Sequence, residues 1–185
     1  METRVKRRVA VFCGASCGRG ERYEKAAREL GGAIARAGMG LVYGGGRAGL
    51  MGAVADAALD AGGEVTGVIT RLLVDRELGH TGITRLEIVE TMHERKMMMA
   101  EMAHAFVTLP GGLGTLDEMF EILAWAQLGI HRKPVGILNT GGYYDSLMAF
   151  LDHVEGEGFL RLNHRTEIVF DPSVEGLMEK VGALM

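Results

Sequence analysis

The sequence predicts an α/β fold, a Rossmann-like parallel sheet of about seven strands with helices on both faces. Short β-branched runs alternate with helical patterns from end to end. The runs are apolar, as strands covered by helices on both faces tend to be. Each glycine-rich or charged motif also falls just after such a run, and open α/β sheets bind their ligands outside the carboxyl ends of strands.

The first run, Val9–Cys13, leads into "CGASCGRG" (13–20) and an amphipathic stretch over Glu21–Ala37. Gly40–Tyr43 is followed by "YGGGRAGLMG" (43–52) and a helix over Ala48–Ala61. Glu64–Ile69 and Arg85–Val89 are the next strands, and "TMHERK" (91–96) opens a helix over Met92–Ala103. Ala105–Leu109 runs into "LPGGLGTLDE" (109–118), with a helix over Leu116–Leu128. Pro134–Leu138, a helix over Tyr144–Glu155, Glu167–Phe170 and a last helix over Ser173–Leu184 complete the pattern. There is no Pro- or Ser-rich linker and no repeat, so residues 1–185 read as one domain.

With 185 residues, 48% of them hydrophobic, the chain has enough apolar material for a full core. A net charge of −4 argues against nucleic acid and acidic membranes as partners. The basic "RVKRR" at 4–8 reads as a solvated flank to the first strand. No apolar run approaches the ~18 residues of a membrane span, and no charged-then-apolar leader is present, so a cytoplasmic location is expected. Cys13 and Cys17 are spaced C-x3-C, which fits neither a zinc ribbon nor a thioredoxin motif. The six histidines show no ligand spacing, and no metal is expected.

Glycine lets backbone N–H groups approach an anion, and a helix N-terminus adds partial positive charge. "GGGRAG" (44–49) has the G-x-G-x-x-G spacing but follows the second strand, and no acidic residue stands at the expected distance for a ribose diol. Two glycine loops on neighbouring strand ends suggest a mononucleotide held between them; tight βα turns are the plainer alternative. No Gly-Lys-Ser/Thr follows either loop, so a Walker A motif is absent. Ser16 has no G-x-S-x-G setting, which argues against a nucleophilic serine.

Thr115 and Glu118 have capping-box spacing, so Glu118 reads either as a helix cap or as a chemical group at the ligand. Glu118, Glu121 and Trp125 share a face, opposite a buried stripe of Leu116, Met119, Phe120 and Leu123. Thr91 and Glu94 form a second capping box, which puts Arg95 and Lys96 in the first turns of a helix, where the dipole gives cations no support. Such a pair needs an anion: a ligand phosphate, Glu118 and Glu121 across the cleft, or a surface ion pair. The run Met97–Met99 reads as packing or a subunit interface, with the wall of a flat apolar pocket as the alternative.

Taken together, "YGGGRAGLMG", "MHERK" and "PGGLGTLDE" resemble the LONELY GUY family, the cytokinin riboside 5′-monophosphate phosphoribohydrolases. "CGAS", "RE" (76–77), "WAQLGIHRKPVGILN" (125–139), "GYYDSL" (142–147) and "EGF" (157–159) match as well, so the resemblance spans nearly the whole chain. It implies hydrolysis of the N-glycosidic bond of an N6-modified AMP, releasing free base and ribose 5-phosphate without metal or organic cofactor. By motif position Arg95 and Glu118 correspond to the catalytic pair. Gly111, Gly112, Gly114 and Thr115 correspond to the phosphate loop, and Glu77, Lys96, Gly45 and Ser16 to further ligand contacts. The resemblance also implies a homodimer with its active site near the subunit boundary. An older label for such proteins is lysine decarboxylase, but of the five lysines only Lys96 lies in a motif and no pyridoxal-phosphate pocket is recognisable. The chain departs from the pattern at Leu113, where an aromatic is common, at Asp117, which replaces a glutamate, and at Cys17. A nucleotide carrier or sensor without turnover is the competing expectation.

Overall fold

A computed structural model describes residues 7–76, 78–160 and 168–185. Its strands are β1 (Arg8–Phe12), β2 (Gly40–Tyr43), β3 (Val65–Thr70), β4 (Arg85–Val89), β5 (Ala105–Thr108), β6 (Val135–Leu138) and β7 (Ile168–Asp171). The helices are α1 (Arg22–Arg36), α2 (Gly49–Asp60), α3 (Arg71–Asp75), α4 (Met92–Met102), α5 (Leu113–Gln127), α6 (Asp145–Gly156) and α7 (Val174–Leu184). The strands form one sheet in the order β4-β3-β2-β1-β5-β6-β7, with every ladder parallel. The chain winds outward from β1 to β4, then crosses back to β5 on the other side of β1. The switch point of this doubly wound sheet therefore lies between β1 and β5.

Strand periodicity divides the core in two. Val9, Val11, Leu41, Tyr43 and Val107 face α1, α2 and α7, whereas Ala10, Phe12, Val42 and Phe106 face α4 and α5. Val9 pairs with Leu41 on one side and Ala105 on the other, so apolar side chains line up across three strands. Helices α1 and α2 approach closely because Gly31 has no side chain; a Cβ there would lie 2.2 Å from the Val54 carbonyl oxygen. Among the described residues no helix is long and apolar enough to cross a membrane.

Most boundaries fall within a residue or two of those expected from sequence. The strand expected at Glu167–Phe170 runs from Ile168 to Asp171, and Glu167 itself lies outside the described residues. Helix α3 had no counterpart in the sequence reading, because five residues are too few to show helical periodicity. Helix α5 begins at Leu113, three residues before the expected Leu116, since the glycine-rich stretch at 111–114 already enters the helix.

Candidate active site

The loops after β1, β2 and β5 meet backbone to backbone. The Gly14 N–H donates to the Pro110 carbonyl at 3.1 Å, and the Leu50 N–H donates to the Gly14 carbonyl at 3.0 Å. A Cβ on Gly14 would lie 3.3 Å from Gly111 Cα, and one on Gly49, whose φ is +62°, 2.3 Å from the Ala15 carbonyl carbon. These glycines are therefore structural first: they let three loops converge at the switch point.

Convergence leaves a cleft of about 430 Å³. Gly14, Ala15 and Ser16 line it from the first loop, Gly44 and Met51 from the second, and Gly112, Gly114, Thr115 and Glu118 from the start of α5. Val11, Cys13, Leu73 and Arg95 complete the wall. Helix α5 has Gly112 as its N-cap with no side-chain cap, so its first amides are left facing the opening. A smaller pocket of about 240 Å³ adjoins the cleft and shares Ser16 and Gly112 with it; Tyr23, Tyr143, Cys17 and Gly111 are among its walls.

Arg95 comes from α4, whose start is fixed by Thr91 and Glu94. The Glu94 N–H donates to Thr91 Oγ1 at 3.1 Å, and Glu94 Oε2 accepts from the Thr91 N–H at 3.1 Å and the Glu90 N–H at 2.9 Å. This is the capping box expected from sequence. One turn on, the Arg95 guanidinium is buried and donates three ways: Nε to the Val68 carbonyl (2.9 Å), Nη2 to the Gly44 carbonyl (3.2 Å) and Nη1 to Glu118 Oε1 (2.9 Å). Gly44 leaves room for it, since a Cβ there would lie 2.0 Å from Nη2.

The capping reading of Glu118 does not hold. Thr115 is the third residue of α5 rather than its cap, and the Glu118 side chain turns to Arg95, with only 10% exposed. The expected division of α5 into a buried apolar stripe and a Glu118/Glu121/Trp125 face does not hold either. Its buried residues are Thr115, Glu118, Met119 and Ile122, a single i, i+3, i+4, i+7 stripe. The polar members of that stripe sit at the cleft end and the apolar ones at the core end. Phe120 is 39% exposed, and Trp125 packs on the α4/α5 core.

Burial pushes the Glu118 carboxyl above the ordinary glutamate range, and the charge and hydrogen bond of Arg95 oppose the shift. A carboxyl held in this balance can exchange a proton nearer neutrality than a solvated one. Burial, reinforced by the Glu118 charge, pushes the Cys13 thiol far up, so Cys13 is not a thiolate nucleophile although it lines the cleft. Cys17 is also pushed up, first by burial and then by Glu24.

Of the residues singled out in the sequence, Arg95, Glu118, Gly112, Gly114, Thr115 and Ser16 lie together on the cleft, and Gly111 lines the adjoining pocket. Gly111 is needed where it stands because a Cβ there would meet Thr115 Oγ1 at 2.1 Å. Lys96 points elsewhere: its Nζ lies 3.1 Å from both Asp117 and Glu121, bracing α4 against α5. Burial alone would lower its pKa, but the hydrogen bonds to Glu121 and Asp117 outweigh this and raise it. Gly45 turns the chain with φ +73°, and its carbonyl accepts the His80 N–H at 2.9 Å rather than facing the cleft. Glu77 lies outside the described residues. Met51, Cys13 and Leu73 were not singled out from sequence as cleft residues, and Gly44 was marked only as part of the "GGGRAG" loop that follows β2.

Fold and cleft together define a Rossmann-like protein with an uncapped helix N-terminus at its switch point and a buried arginine–glutamate pair beside it. Residues 51–181 match the family model described as "Possible lysine decarboxylase". The chain is 49% identical over 175 residues to a probable cytokinin riboside 5′-monophosphate phosphoribohydrolase of Oryza sativa subsp. japonica, covering 95% of this chain and 77% of that protein. It is 46% identical over 174 residues to the cytokinin riboside 5′-monophosphate phosphoribohydrolase of Rhodococcoides fascians, covering 94% and 88% of the two chains. Among solved structures, the molybdenum cofactor binding protein from Rippkaea orientalis superposes with a TM-score of 0.73 over 97% of both chains, at 22% identity. That likeness is one of fold. The chain belongs to the LONELY GUY family.

Proposed function

We propose that the protein hydrolyses the N-glycosidic bond of a purine nucleoside 5′-monophosphate, an N6-modified AMP, to free base and ribose 5-phosphate. The observation that carries this reading is the buried Arg95–Glu118 pair opening on the same cleft as the uncapped start of α5. Glu118 lies four to six residues along α5 from Gly114 and Gly112, which is about 6–9 Å at 1.5 Å per residue. That spacing suits a ribose with its 5′-phosphate on the helix N-terminus and its anomeric carbon beside the carboxylate. Met51 and Leu73 supply apolar wall for a purine and its N6 substituent.

In the reaction, Glu118 orients a water molecule and accepts its proton as the oxygen bonds to C1′. The C1′–N9 bond breaks through an oxocarbenium-like state that the carboxylate stabilises, and the purine takes up the proton as it departs. Arg95 holds Glu118 in place and stabilises charge, while phosphate binding supplies the remote energy that positions the bond. No metal or organic cofactor enters this scheme. Lysine decarboxylation, the reaction in the family model's name, fits the cleft poorly. Among the described residues no lysine lines it, and Lys96 is held as an ammonium by two carboxylates.

The test is base release from AMP, N6-isopentenyl-AMP and the matching ribosides, with wild type and Glu118→Gln in parallel. Release from the monophosphates only, lost in the folded variant, is the expected result. Saturable AMP binding without release would make the protein a carrier instead. We also infer that the chain acts as one domain and assembles as a homodimer through α4 and α5, where Met92 (45%), Met97 (47%) and Phe120 (39%) are exposed. Its mass in solution by light scattering tests the assembly.

A further inference from the structure

The tyrosines of "GYYDSL" lie outside the reaction scheme above, yet both reach the glycine loop. After β6 the chain makes a 3-10 turn at Thr140–Gly142. Asn139 secures this turn: its N–H donates to the Asp171 carbonyl (2.8 Å), Oδ1 accepts the Tyr144 N–H (2.7 Å), and Nδ2 donates to Asp145 Oδ1 (2.7 Å). The rings of Tyr143 and Tyr144 stand edge to face, 4.8 Å apart at 90°, so their hydroxyls diverge. Tyr144 donates to the Leu109 carbonyl at 2.7 Å and Tyr143 to the Gly111 carbonyl at 2.6 Å. Between them the Pro110 carbonyl accepts from Gly14, and Gly112 starts the helical ladder by accepting from Leu116 at 3.1 Å.

Four consecutive carbonyls, from Leu109 to Gly112, are thus tied. In a trans peptide the carbonyl of one residue and the N–H of the next point in opposite directions. Fixing the Gly111 carbonyl on Tyr143 therefore turns the Gly112 N–H away from Tyr143. Fixing the Leu109 carbonyl on Tyr144 aims no donor, because residue 110 is a proline and has no N–H.

We propose that Tyr143 is a positioning residue for the phosphate seat: its phenol holds the Gly111–Gly112 peptide so that the Gly112 N–H is presented to the 5′-phosphate of the nucleotide. The inference rests on the phosphate-seat reading above. A seat of this kind is otherwise set by flexible glycines, whose peptide planes turn readily unless a partner holds them. Preorganised donors bind an anion more tightly because no reorientation precedes binding. Tyr143 acts from the wall of the adjoining pocket and is 42% exposed; Tyr144, 2% exposed, belongs to the core. Tyr143→Phe keeps the ring against Tyr23, 5.7 Å away, and against Tyr144, and removes only the donor.

Binding of AMP and of adenosine is measured by calorimetry on Glu118→Gln protein, which stops turnover, alone and combined with Tyr143→Phe or Tyr144→Phe. Thermal melts confirm that each variant is folded. Tyr143→Phe is expected to weaken AMP binding about tenfold, the order of one lost hydrogen bond, and to leave adenosine binding unchanged. Tyr144→Phe, although it loses an equally short bond from a more buried site, is expected to lower the melting temperature while AMP affinity is kept. In turnover by the protein with Glu118 intact, the Tyr143→Phe defect should appear as a similar loss in kcat/KM for the monophosphate. Unchanged AMP affinity in Tyr143→Phe overturns the inference, as does an equal loss for AMP and adenosine or an equal loss in Tyr144→Phe. Should the parent protein bind AMP no better than adenosine, the phosphate seat itself fails and this inference with it.

Discussion

Replacing Arg95 with methionine separates its two roles, because each has its own pH dependence. Methionine keeps most of the buried volume but removes three donated hydrogen bonds. Two of these end on the Val68 and Gly44 carbonyls, and their loss costs about 1–3 kcal/mol apiece at any pH. The third leaves the Glu118 carboxylate buried without its counter-ion. A carboxyl can escape that penalty by keeping its proton, and its folded pKa, already raised in the native protein, then rises further. The sign follows from proton counts. Above the unfolded glutamate pKa of about 4.3 the unfolded chain has lost the proton that the folded variant retains, so stability falls as pH rises. The slope is about 1.4 kcal/mol per pH unit, so the extra penalty grows between pH 5 and 8 by up to about 4 kcal/mol. Urea unfolding at both values, for wild type, Arg95→Met, Glu118→Gln and the double variant, measures it. The double variant should show only the pH-independent part. If Arg95→Met costs the same at pH 5 and pH 8, Arg95 does not hold Glu118 charged, and its place in the reaction scheme is refuted with it.

Two further outcomes follow from charged groups, one set beside the cleft and one outside it. Glu118 faces Arg95 and Lys96 from α4, Asp117 from its own helix and Cys13 from the end of β1. Lys96→Met leaves Asp117 and Glu121 uncompensated beside Glu118, so the acid limb of the kcat–pH profile should move to higher pH, and Lys96→Arg should restore it. An unshifted limb would make Lys96 a purely mechanical brace. Far from the cleft, Asp171 is held down to about 2, first by its hydrogen bond from Lys180 and then by the Ser173 backbone N–H. A depressed carboxyl contributes stability that is present above its unfolded pKa, near 3.9, and lost as pH falls towards 2. Lys180 is half exposed, so this contribution is on the order of 1–2 kcal/mol after screening. Acid unfolding of Asp171→Asn should lack that part of the pH dependence.

The fold class was legible because strand and helix periods leave their mark in side-chain pattern; the strand order was not, because which strands pair is set by contacts distant in sequence. Arg95 and Glu118 drew notice because two capping boxes placed them near helix starts, although one of the boxes was false; that they form a catalytic pair was implied by the family resemblance alone. Thr115–Glu118 has the right spacing, but Gly112 starts the helix, and no local pattern tells a glycine N-cap from a threonine three residues later. The α5 inner face was misread for a related reason. Apolar residues mark a buried stripe only where the buried surroundings are apolar, and at the cleft end Thr115 and Glu118 take those positions. Leu73 reaches the cleft from α3, which is too short to show a period, and Met51 from the first turn of α2, where it is one apolar residue among many.

The acidic stretch Asp117–Glu121 is sorted by the two adjacent cations on α4. Asp117 and Glu121, four residues apart, share a helix stripe, and Lys96 takes both; Glu118 lies about 100° round the helix and meets Arg95. Consecutive residues on one helix thus answer consecutive directions on the other. Among the described residues a single carboxylate is left on the cleft. Cleavage of an O-glycoside draws on two carboxyl groups, one to protonate an alkoxide leaving group and one to stabilise the sugar cation or activate water. A purine spreads the departing charge over its ring nitrogens and needs no separate carboxylic acid of that kind. A carboxylate braced by an arginine and joined along helix α5 to an uncapped helix N-terminus is the arrangement that the proposed cleavage of an N-glycoside carrying a 5′-phosphate would use.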